Sequence, residues 1–194
     1  MKKLLMTTVA AMVLATAANA GEITTLSRTG FWTAYQMVNK DGIPVCGMRA
    51  GESGRSVYVK WFAGYSTVTV QLFKDSWRIP EDTKLSLSVT FDHDHFGTAD
   101  DATGGMFRYD NGNVSGTVDA NLGADQIGKF VEQFAHADKM LIGFPGGNEP
   151  AWNVDMTGSR DAANAFVACM QRTRAPTQPF GQGQSASTLP RPTQ

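Results

Sequence analysis

Hydrophobic and polar positions along the chain follow two different periods, and the change from one to the other divides it. From Phe31 to Asp92 the apolar residues recur every second position in short runs broken by turn residues, the pattern of β-strands. "FWTAYQMV" and "IPVCGMRA" flank "NKDG", a hairpin turn in which Gly42 is free to take positive φ. "SVYVKWF" places Val57, Val59 and Trp61 on one face, "STVTVQLF" does the same with Val68, Val70 and Leu72, and "AGYS" between them reads as a second hairpin. The clearest alternation is "TKLSLSVTFD", with Leu85, Leu87, Val89 and Phe91 facing one way and Lys84, Ser86, Ser88, Thr90 and Asp92 the other. A strand with one wet face implies an antiparallel sheet.

A polar loop follows, and then Asn111-Gly112, a strong hairpin signal, lies between Tyr109 and Val114. In "GADQIGKFVEQFAHAD" the period lengthens: Ile127, Phe130, Val131 and Phe134 recur at helical spacing, and Asp125 sits where the helix dipole favours an acid. "KMLIGF", the turn "PGGNEP" and "AWNVDM" predict another hairpin with Trp152, Val154 and Met156 on one face. "TGSRDAANAFVACMQRTR" predicts a second helix, with Ser159 as N-cap and Ala162, Phe166, Cys169 and Met170 as its buried stripe. The expected fold class is therefore α+β: an antiparallel β-sheet or small β-sandwich with two packed amphipathic helices and one disulfide.

The two ends of the chain depart from both periods. Residues 1–20, "MKKLLMTTVAAMVLATAANA", carry two lysines, an apolar stretch of about 14 residues and small residues before Gly21, the layout of a cleaved signal peptide. That stretch falls short of the roughly 20 residues a membrane span needs, so no transmembrane segment is expected after cleavage. Residues 21–175 then form a single globular domain, and 176–194, "TQPFGQGQSASTLPRPTQ" with its preceding Pro, read as a disordered Pro/Gln/Ser-rich tail. The expected location is periplasmic or secreted.

Charge narrows the partners. The chain has 17 basic and 18 acidic residues; without Lys2 and Lys3 the balance is 15 to 18, a net charge of −3. A near-neutral chain with no basic stripe is not expected to bind nucleic acid. Cys46 and Cys169 are the two cysteines, and export would carry them to a compartment where disulfides persist, so they are expected to pair.

Candidate chemistry centres on "FDHDHFGTADD". Extending the strand's alternation puts His93 and His95 on the core-facing side and Asp92 and Asp94 on the wet side. Histidines two apart on a strand can chelate Zn or Cu, with Asp100, Asp101 or Asp110 to complete the site. The same residues also make a polar strand end, and both readings stay open. An EF-hand is excluded, because Phe96 would stand where an oxygen donor is needed and Thr103 where a bidentate carboxylate is needed. No nucleophile elbow is present: Ser53 of "GESGR" lies in a turn between strands, and "PGGNEP" joins strands rather than opening a helix. Among the aromatics, Trp61 and Trp152 fall on apolar faces, whereas Trp77, in "KDSWRIP", and Tyr58, on the polar side of its strand, are the candidates for an exposed binding patch.

The order from about residue 127 to 170, a helix, "KMLIGF", a Gly turn, "AWNVDMTGS" and an Ala-rich helix, resembles the C-terminal half of small exported proteins of the invasion-associated locus B type. The resemblance implies a β-sandwich-like envelope protein associated with host interaction, with no catalytic residues to carry over. The expected function is a non-catalytic binding or accessory role in the cell envelope, the partner being an envelope or host protein or polymer, with no cofactor. The alternative is a periplasmic metal-binding protein using His93 and His95, and the third reading an envelope hydrolase.

Overall fold

A computed structural model describes residues 21–52, 54–109 and 111–174. The expected signal peptide and tail, together with Ser53 and Asp110, lie outside the described residues. Ten strands and two helices follow one another: β1 (Thr24–Thr29), β2 (Trp32–Val38), β3 (Pro44–Glu52), β4 (Arg55–Phe62), β5 (Val68–Lys74), β6 (Thr83–Phe91), β7 (Asp94–Arg108), β8 (Val114–Leu122), α1 (Ala124–His136), β9 (Lys139–Gly143), β10 (Trp152–Asp155) and α2 (Ser159–Thr173). The strands form one sheet in the order β1-β2-β3-β4-β5-β8-β7-β6-β9-β10, antiparallel at each pairing.

The hairpins sit where the turn residues place them. Asn39 Oδ1 accepts the N–H groups of Asp41 and Ile43 while Gly42 takes φ 78°, which closes β2 onto β3. Gly64 at φ 89° and Gly112 at φ 85° serve the β4–β5 and β7–β8 turns.

Alternation along each strand gives the sheet an inner face. Trp32, Met48, Val59, Val70, Leu87, Ile142 and their neighbours point inward and are almost fully buried. Into this face α1 inserts Phe130 and Phe134, which meet Phe91 and Trp32 edge-on, with ring centroids 5.5 and 4.5 Å apart. Each such phenylalanine contributes about 2–3 kcal/mol through burial. α2 lies over β1 to β3 and against α1. Cys169 of α2 is bonded to Cys46 of β3, with Cα atoms 5.9 Å apart, so the C-terminal helix is stapled to the middle of the sheet across 123 residues.

The sheet curls until its two edges meet. Asp155, at the end of β10, accepts the indole N–H of Trp32 at 3.0 Å, and Thr157 accepts the Phe31 N–H at 2.9 Å. Two glycines allow this closure: Gly30 and Gly158 both have positive φ, and a Cβ on either would overlap a backbone oxygen of the other segment, Thr157 or Thr29.

Two local expectations are corrected, and one strand is added to those expected. The polar loop after Asp92 is the first half of the 15-residue β7, held by β6 through a register with bulges. β1, "TTLSRT", is an edge strand with no apolar alternation to announce it. The N-cap of α2 is Gly158, in the left-handed region, and Ser159 is buried inside the first turn. Among the described residues no helix is long and apolar enough to cross a membrane.

Candidate ligand-binding face

The outer face of an antiparallel sheet is normally polar, because water covers it. Here it carries a continuous chain of aromatic rings. Tyr35 of β2 meets Tyr58 of β4 at 6.5 Å, Tyr58 meets Phe73 of β5 at 5.3 Å, and Phe73 meets Phe107 of β7 at 5.4 Å. Tyr109 closes the chain against Phe107 at 5.0 Å. The contacts are edge-to-face apart from the tilted Phe73–Tyr109 pair, the arrangement that ring quadrupoles favour. Tyr35 and Phe73 are buried beneath their neighbours, Tyr58 and Tyr109 half-buried, and Phe107 is 41% exposed.

Sheet register explains how rings from distant segments come together. One rung runs Arg28–Thr33–Arg49–Tyr58–Gln71–Asp119–Thr103 across β1 to β5, β8 and β7. The next rung places Tyr35, Gly47, Lys60 and Thr69 side by side. The Tyr35 ring covers Gly47, where any Cβ would overlap it.

The electrostatics of this face are unusual for a sheet surface. Lys60 stands over the Tyr58 ring, 4.8 Å from its centroid, and donates to Gln71 Oε1. Burial holds the Lys60 ammonium below its usual pKa, and the nearby Asp119 charge opposes the shift. Burial likewise raises Asp119 above the ordinary carboxylate value, against a hydrogen bond from Gln71, the Lys60 charge and a bond from Thr117. The Tyr35 hydroxyl is raised above its normal range by burial and by Tyr58, with Arg49 pulling the other way, so it stays protonated.

Beside the rings lies an open groove of about 410 Å³, walled by Phe31 and Tyr58 and floored by small residues. Arg28, Arg49, Thr33 and Ser56 also line it, and among the described residues no carboxylate does. Two guanidinium groups and the Thr33 and Ser56 hydroxyls offer hydrogen bonds beside the ring surfaces of Phe31 and Tyr58.

The sequence-predicted residues divide. Tyr58 lies on the outer face as expected, at the centre of the ring chain. Trp77 does not stand free: it is half-buried on the inner side, stacked on Trp152 at 5.2 Å, with its indole N–H on Glu149 at 2.9 Å. His93 and His95 do not face the core; both are exposed, because the β6–β7 turn falls at Asp92 and His93 and resets the alternation. Asp92, at φ 51°, accepts the N–H groups of Asp138 and Lys139 at 3.0 and 2.9 Å. Asp94 is exposed, and the His95 ring lies 3.5 Å from the hydroxyls of Thr90 and Thr98. Among the described residues no three His, Cys, Asp or Glu side chains are grouped to hold a metal ion.

Arg28, Arg49, Phe73 and Phe107 are the residues that sequence reasoning missed. The signal for Arg49 and Phe73 was the polar phase of their strands, as where Tyr58 and Lys60 oppose Val57, Val59 and Trp61; Arg28, on a strand without alternation, carried none. Compared with protein-family models, with curated proteins and with solved structures, the chain finds no match.

Proposed function

We propose that this is an exported, non-catalytic binding protein of the cell envelope, and that the outer face of its sheet takes hold of an envelope polymer. One observation carries the reading: a continuous chain of rings on the side of the sheet that solvent should claim, next to a groove lined by Arg28 and Arg49. Rings laid across several strands offer an extended, repetitive contact, which suits a polymer better than a small metabolite. Export rests on the first twenty residues, and the Cys46–Cys169 bridge is in keeping with an oxidising compartment.

Binding of the mature protein to purified envelope polysaccharides, followed by calorimetry, tests the proposal. Phe107→Ser removes the most exposed of these five rings; it should abolish binding while the variant, its melting temperature lowered as Phe73 loses cover, stays folded at the assay temperature. Undiminished binding by this variant would reject the face as the site. A mass of the protein recovered from the periplasm that does not begin at Gly21 would reject export by this signal.

A further inference from the structure

We infer that the groove between Arg28 and Arg49 is a carboxylate-binding subsite, so that the polymer held by this face is an acidic saccharide; the inference rests on the proposed binding face and names its ligand class. Arg28 and Arg49 flank Thr33 on a single rung, two strand spacings or about 10 Å apart at the backbone. Both line the same groove.

Among the described residues neither arginine has a partner for its charge. The ion pairs among the described residues are Arg55–Glu52 and Lys74–Glu149, and neither Arg28 nor Arg49 donates a side-chain hydrogen bond there. Two guanidinium groups lining one groove repel each other. Their placement in a chain of formal net charge −1 is therefore local, not a by-product of a basic protein. A carboxylate between them would relieve the repulsion and accept two forked hydrogen bonds.

The rest of the lining selects the body that carries the carboxylate. Phe31, 50% exposed, and Tyr58 offer ring surfaces at the groove walls, to which the C–H face of a sugar can lie. Thr33 and Ser56 supply hydroxyls, and the Thr33 hydroxyl makes no side-chain hydrogen bond among the described residues. A groove of about 410 Å³ lies within the range of sites for one or two sugar rings. Two guanidinium groups suit a phosphate as well as a carboxylate; the ring surfaces of Phe31 and Tyr58 beside them favour a carboxylate carried on a sugar.

Three polymers separate the outcomes by calorimetry on the mature protein: polygalacturonate, its methyl ester, and polyphosphate. Polygalacturonate should bind at least tenfold tighter than the ester and weaken as salt rises. Arg49→Gln, and Arg28→Gln with it, should remove that tenfold advantage and leave affinity for the ester and the melting temperature unchanged. Equal binding of acid and ester, still lost in Phe107→Ser, would overturn the carboxylate subsite and leave the binding face standing. Polyphosphate binding as tight as polygalacturonate would reduce the groove to a general anion site and overturn the saccharide assignment. If none of the three binds, the carboxylate subsite fails and the face is no saccharide site either.

Discussion

Trp77 and Trp152 stack with their planes 23° apart, and both indole N–H groups donate to the carboxylate of Glu149. Lys74 adds its ammonium to the same group at 2.7 Å. Burial alone would raise the Glu149 pKa, but the bonds from Lys74, Trp152 and Trp77 and the Lys74 charge outweigh it and hold the carboxyl below its usual value. The unfolded chain takes up that proton first as pH falls. The stabilisation is therefore complete above the ordinary glutamate range, near pH 4.3, and disappears as pH drops through the lower folded value. Glu149→Gln should cost about 2 kcal/mol at pH 7 and flatten the acid limb of a stability-versus-pH curve. An unchanged acid limb in urea titrations would show that this carboxylate does not govern it.

Gly158→Ala should destabilise by about 3 kcal/mol or more, since the residue keeps φ 89° and its new methyl would enter the Thr29 carbonyl. Gly128→Ala is the control, because a Cβ there meets nothing within 4 Å. The urea midpoint of the first variant should fall and that of the second hold or rise slightly. Equal midpoints would mean that the closure of the sheet edges bears no load.

Removing the bridge by Cys169→Ser should cost about 3–5 kcal/mol, since the bond closes a loop through most of the domain. The parent protein under reducing conditions should then unfold at the variant's midpoint. A parent that ignores reductant would put the stabilisation elsewhere.

Asp92→Ala should lose about 1–2 kcal/mol, through two backbone N–H groups left without their acceptor. Asp92→Asn should lose less, because asparagine keeps an acceptor and tolerates the left-handed turn. His93→Ala, on an exposed turn position, should stay within about 0.5 kcal/mol. A histidine variant as damaging as Asp92→Ala would show that the imidazole has a structural role.

The strands β2 to β6 and both helices were legible because each carries its own apolar period and its own turn residues. The first half of β7 was not. Gly97, Asp100 and Asp101 read locally as loop, and pairing with β6 overrides that preference. The aromatic face was hidden for a different reason. Tyr58 announces itself by alternation, but its ring neighbours come from β2, β5 and β7, and only the insertion of β8 and β7 beside β5 brings Phe107 to Phe73. Likewise the two arginines are unremarkable in sequence and become a pair through the registers of β1, β2 and β3.

The strand order also exposes the chain while it is being made. β5 cannot complete its second ladder with β8 until β6 and β7 have been synthesised. Through that interval "VTVQLF" offers a bare, uncharged edge with high strand propensity to any neighbouring copy, guarded at its end by Lys74 alone.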